Sequence, residues 1–152
     1  MITLRDEIEI NATSEQIFEW FSKFDTNYLE WHADHVACEY LEGTFSQEGS
    51  IIYTEEYLHG ELHKLKMRTI RFQPNSLIEY KVLGMSSWGS FAVEPRGKKS
   101  NFIAELHFGL GVPLLDKIID PILKRLLSFQ LDAFRTHIKE EGQNLKAILE
   151  RV

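Results

Sequence analysis

A single cysteine, Cys38, in 152 residues excludes an intramolecular disulfide framework and points to a reducing compartment. No run approaches the ~18 consecutive apolar residues of a membrane-spanning helix. The opening MITLRDEIEI lacks the basic segment and apolar stretch of a secretory signal. The expectation is a soluble cytoplasmic chain with no membrane span. Positive charge is scarce too: the formal net charge of −6 leaves no basic footprint, so nucleic acid is not an expected partner. A GxSxG elbow, a phosphate loop, a dinucleotide glycine pattern and a CxxC pair are all missing, which removes the chemistries they support. With 43% hydrophobic and 26% charged residues, what remains is one ordered domain over 1–152, long enough to bury a real core.

Residues 2–10 alternate, with Ile2, Leu4, Ile8 and Ile10 on one side and Thr3, Arg5, Glu7 and Glu9 on the other, the pattern of a half-buried strand. Thr13 and Gln16 form a capping box for a helix reaching about Lys23, with Ile17, Phe18 and Phe21 inward. A short second helix or turn over 25–34 carries Tyr28, Leu29 and Trp31. Strands then follow at about 36–42, 50–59, 62–72, 76–83, 87–94 and 101–109. Gly43, Gly49, Gly60-Glu61, Gln73-Pro74-Asn75, Met85-Ser86 and Pro95-Arg96-Gly97-Lys98 punctuate them. Gly109, Gly111 and Pro113 lie in a link over 109–120. Asp120-Pro121 reads as the cap and first position of a last helix, or as a kink in a longer one.

That last helix, Pro121 to about Glu150, organises the rest. Around Phe134 as centre, Leu127, Leu131, Ile138, Leu145, Ile148 and Leu149 fall within ~60° at the α-helical ~100° per residue. Lys124, Arg125, Asp132, Arg135, Lys139, Gln143 and Lys146 fall behind. Glu141 sits inside the apolar stripe and His137 one turn earlier at its edge, although an isolated buried carboxylate is strongly disfavoured. Strand, two helices, six strands and one long helix make an α+β domain. Its curved antiparallel sheet of six or seven strands surrounds the helix and leaves an apolar hollow between them.

Three groups of side chains compete for a role there. His137 and Glu141, four apart, share a helix face; the competing reading pairs Glu141 with a sheet lysine. Trp31-His32-Ala33-Asp34-His35 presents two imidazoles on a turn, with Asp34 as an orienting partner or as plain polar surface. With Gly60-Glu61 as the turn, Glu56 faces Leu65 inward and Glu55 pairs with Lys66 outward; a one-residue slip exchanges them. Two buried carboxylates repel unless imidazoles and a divalent cation join them. Two histidines and two glutamates suit Zn²⁺, and also Mn²⁺ or Fe²⁺. Trp31, Tyr57, Met67, Trp88 and Phe134 are the candidate pocket residues, with Tyr53, Tyr57, Tyr80 and Trp88 as possible donors whose facing depends on register. His59, His63, Glu105 and His107 read as solvent-facing, and Cys38 as a small sheet residue.

The element order, the opening IEINATSEQIFEWFSKFD and the closing helix resemble the helix-grip superfamily of START domains, birch-pollen-type allergens and polyketide cyclases (SRPBCC). The resemblance spans essentially the whole chain and implies a helix-grip fold with a small hydrophobic or aromatic ligand. A narrower resemblance to the diacetylphloroglucinol hydrolase branch rests on four positions and the WHxDH-like turn. It implies a metal held by His32 (or His35), Glu56, His137 and Glu141, with hydrolase- or lyase-like chemistry. The alternative within the superfamily is a metal-free carrier or sensor.

Overall fold

The computed structural model describes residues 1–109 and 113–151. In chain order they form β1 (Ile2–Ile10), α1 (Ser14–Phe21), α2 (Phe24–Trp31), β2 (His35–Glu42), β3 (Ile51–Leu58), β4 (Glu61–Gln73), β5 (Leu77–Val82), β6 (Ser87–Arg96), β7 (Lys99–Phe108) and α3 (Pro113–Leu149). Every strand joins one antiparallel sheet in the order β1-β7-β6-β5-β4-β3-β2. Register shifts in β2 and between Thr69 and Arg71 of β4 supply the bends that let a sheet curve. α3 runs along β1 and reaches β3, β7 and α2. This is the helix-grip fold, and no described helix is long and apolar enough to cross a membrane.

Local chemistry explains most boundaries. The Thr13 hydroxyl accepts the Gln16 N–H at 3.2 Å and the Gln16 side chain accepts the Thr13 N–H at 2.8 Å, so the capping box opens α1 as read. α2 buries Phe24, Tyr28 and Trp31, one helical face. The β3–β4 turn is His59-Gly60 rather than Gly60-Glu61, with φ of 53° and 76°. A two-residue turn that follows strand twist needs positive φ at both positions. Leu58 therefore faces Glu61, Glu55 faces Lys64 and Glu56 faces His63.

α3 begins at Pro113, not Pro121, and Pro121 lies inside it. An internal proline forfeits one helical hydrogen bond and strains the preceding turn. Pro121 is exposed, where water serves the freed carbonyl, and the helix continues to a length of about 55 Å at 1.5 Å per residue. Leu131, Ile138 and Leu145 of the expected stripe are buried, with Phe134, Ile148 and Leu149 packed beside them. Gly111 of the expected link and the side chain of Leu127 lie outside the described residues.

The core centres on Phe21, which has no exposed surface. Its ring meets Trp20 at 5.1 Å, Phe91 at 5.2 Å, Trp31 at 5.8 Å and Phe102 at 5.9 Å. Cys38 packs against this core, and burial, with the Asp25 carboxylate second, pushes its thiol up to about 12. The thiolate is the reactive species. At pH 8, iodoacetamide followed by mass spectrometry should label native Cys38 about a thousandfold more slowly than the unfolded chain, whose thiol titrates near ~8.5.

Candidate functional site

His35 opens β2 and stands opposite Glu56 of β3. Its side chain has no exposed surface, and its Nδ1 lies 2.7 Å from the Tyr28 carbonyl, to which it donates. The Tyr28 ring stacks on it at 3.8 Å and 4°. These contacts fix ring and tautomer and turn the Nε2 lone pair toward His137 and the two glutamates. The Tyr28 hydroxyl also donates to Glu56 Oε2 at 3.2 Å, so one residue of α2 holds two groups of the site.

The helix brings the other two. Trp31 Nε1 donates to the Glu141 carbonyl and Asn144 Nδ2 to the Trp31 carbonyl, both at 2.9 Å, which fastens α3 to α2 at the height of Glu141. His137 Nε2 then lies 3.1 Å from His35 Nε2, 3.2 Å from Glu56 Oε2 and 3.7 Å from Glu141 Oε1. His35 Nε2 lies 3.5 Å from Glu56 Oε2 and 3.4 Å from Glu141 Oε2. The carboxylate side chains of Glu56 and Glu141 are 14% and 13% exposed, which identifies this as a buried polar network rather than a surface one.

Burial by itself disfavours charge here, but neighbours outweigh it. For Glu56, the hydrogen bond and charge of His137, the His35 ring and the Tyr28 hydroxyl bring the carboxyl below its ordinary 4.5. For His137, the Glu141 carboxylate and the bond to Glu56 overcome burial and lift the imidazole to about 9. Tyr28 and Tyr80 are driven far upward by burial first and the two carboxylates second, so both stay neutral phenols.

His32 is held differently. Its Nδ1 accepts the Asp34 N–H at 2.9 Å and its Nε2 donates to Glu140 at 2.6 Å, while its ring packs on His137 at 4.3 Å. With both nitrogens engaged, it buttresses His137, and His35 is the early histidine facing the two glutamates. Among described residues, His35, His137 and Glu141 bring ligand atoms close enough to share one ion, and so do His32, Asp34 and His137.

The network forms part of the wall of an interior cavity of about 100 Å³, otherwise lined by side chains such as Phe24, Met67, Tyr80, Phe91, Leu106 and Phe134. Of the candidate pocket residues, Trp31, Met67 and Phe134 line it. Tyr57 and Trp88 do not. Tyr57 is 42% exposed because strand alternation turns it away from Glu56 and Leu58. Trp88 stacks on His107 of β7 at 5.4 Å and 20°, on the face opposite Ser87 and Gly89. His63, read as solvent-facing, lines the cavity, as do Tyr28 and Thr54; the face shared by Phe24, Tyr28 and Trp31 was the available signal for Tyr28.

Residues 1–139 match the family model described as polyketide cyclase / dehydrase and lipid transport. Among solved structures, a ginseng major latex-like protein from Panax ginseng superposes with a TM-score of 0.69 at 13% identity, over 99% of this chain and 98% of that one. A START superfamily protein from Mycobacterium smegmatis gives 0.64 at 17% over 94% and 98%. A polyketide-cyclase-like protein from Corynebacterium glutamicum gives 0.62 at 21% over 97% and 91%. At these identities the likeness is one of fold. No match was found among curated proteins.

Proposed function

Because the chain belongs to the polyketide cyclase / dehydrase and lipid transport family, we propose that it takes a small apolar or aromatic molecule into its interior cavity beside a divalent cation. The cation would be held by His35, Glu56, His137 and Glu141, and the chemistry would be hydrolytic or lyase-like. The observation that carries this reading is the set of five separations of 3.1–3.7 Å linking two imidazole Nε2 atoms and two carboxylates in an apolar wall. Metal–ligand bonds of ~2.0–2.1 Å in a tetrahedral site place ligand atoms about 3.3–3.4 Å apart. Two imidazoles and two carboxylates suit Zn²⁺ best, with Mn²⁺ and Fe²⁺ next.

Such an ion supplies polarisation of a carbonyl, or a bound water of lowered pKa. The chain's own residues do the rest. Phe24, Phe91 and Phe134 exclude water and select an apolar ring, and neutral Tyr80 can donate to a ligand oxygen. A cavity of about 100 Å³ is smaller than an engineered ~150 Å³ cavity that holds benzene, so it favours the smallest rings. The ligand class is therefore a single-ring aromatic ketone or ester rather than a fused polycycle.

A metal-free carrier or sensor is the second reading, favoured by the His137–Glu56 ion pair and the Tyr28 hydroxyl, which satisfy the buried Glu56 without an ion. Elemental analysis of untagged protein, with calorimetric titration of a hydroxyacetophenone and of a tetracyclic aromatic, separates them. Stoichiometric metal, lost in Glu141→Gln, with preference for the single ring is the expected result. No metal and a chelator-insensitive melting temperature, with ring binding intact, would establish the carrier.

A further inference from the structure

A second cavity, of about 250 Å³, opens beside the first between α3, the α2–β2 turn and the β3–β4 hairpin. Its lining is Asp34, Leu58, His59, Asp132, Ala133, Thr136, His137 and Glu140. Its chemistry is the reverse of the interior cavity's: polar, carrying three carboxylates, and walled by strongly exposed Asp34 and Asp132. Among the described residues, His137 alone lines both cavities.

We propose that this polar vestibule is the route by which a divalent cation reaches and leaves the His35–Glu56–His137–Glu141 site, while the apolar ligand enters past Met85, which lines the interior cavity and is 51% exposed. The inference rests on the metal reading above. A hydrated dication entering through an apolar opening would shed water against aromatic and aliphatic walls, which is costly. A cleft lined by carboxylates instead concentrates cations at its floor and speeds their arrival. Exposed Asp34 offers the first carboxylate oxygens along this path, so that water is exchanged for protein donors in steps. Two separate entrances also allow the ion to remain in place while ligands come and go.

Co²⁺ is the probe, because its visible absorption reports nitrogen and oxygen ligation directly, without activity. Ala133→Phe fills the vestibule from α3 one turn before His137, so its equilibrium Co²⁺ affinity is measured beside its rates to show that the site is intact; Met85→Trp crowds the interior cavity at an exposed lining residue. In stopped-flow mixing, Ala133→Phe should slow Co²⁺ uptake and chelator-driven release roughly tenfold or more, because passage then waits on an opening motion. Its equilibrium affinity and melting temperature should match wild type, and Met85→Trp should load at the wild-type rate. Unchanged rates in Ala133→Phe, or slowing by Met85→Trp, would overturn the route while leaving the metal site standing. A wild-type chain that takes up no Co²⁺ at equilibrium would instead remove the metal reading and the route together.

Discussion

Replacing His137 with alanine is expected to abolish stoichiometric cation binding. In chelator-treated protein near pH 6 it should also lower unfolding stability by about 3–5 kcal/mol, the cost of breaking a buried ion pair from one side. The carboxylates of Glu56 and Glu141 would keep their burial and lose the cation between them. The pH dependence carries the signature. The Glu56 carboxyl sits below its ordinary 4.5, so its contribution is present above that value and fades as pH falls. The His137 imidazole is lifted from 6.5 to about 9, so its contribution is full below 6.5 and is lost as pH rises toward 9. Metal-free wild type should therefore lose stability between pH 6.5 and 9, and His137→Ala should not; urea melts followed by circular dichroism measure both. Parallel pH profiles for the two proteins would show that His137 carries no such charge. Metal loading displaces the same proton, so cation affinity should rise over this interval.

Phe21→Ala should cost about 3–5 kcal/mol, the range for emptying a large aromatic from a packed core. That is a large share of the ~5–15 kcal/mol by which domains are stable, so the variant should be partly unfolded at 37 °C. The position is severe because the side chain has no exposed surface and its ring faces aromatics from α1, α2, β6 and β7. No single neighbour can relax into the space without leaving another ring. Leu29→Ala, at a residue 49% exposed on α2, should change stability by no more than ~0.5 kcal/mol. Equal denaturation midpoints for the two variants would contradict this account of the core.

The architecture was legible because its signals are periodic and local. The capping box at Thr13, the turn residues and the apolar stripe around Phe134 each depend on neighbours within a few positions. Glu56 was legible as inward for a sturdier reason. The observed hairpin register differs from the expected one by two residues, and a shift of two preserves the face on which every side chain lies. The choice between His32 and His35 was not legible, because it turns on a backbone N–H of Asp34 and the carbonyl of Tyr28, which no residue type announces. Trp88 misled because its inward neighbours, Ser87 and Gly89, are small. Gly89 is small because the space is taken: a Cβ there would lie 2.5 Å from the Tyr80 hydroxyl. Where a side chain of the neighbouring strand fills the inward space, the facing position carries little bulk, and that makes an outward tryptophan look like core.

The pairing of β1 with β7, Ile2 opposite Phe108 and Ile10 opposite Ser100, has a consequence for biosynthesis. β1 is made before the other strands of this sheet and hydrogen-bonds only to β7, so at ~5–20 residues per second it waits about 5–20 s for its partner. Strands β3 to β7 each pair with the strand made just before them and can zip in the order they emerge. The nascent chain therefore carries a loose apolar ribbon, Ile2, Leu4, Ile8 and Ile10, until the sheet is otherwise finished. A bound chaperone, or a pause late in translation, would act on that ribbon first.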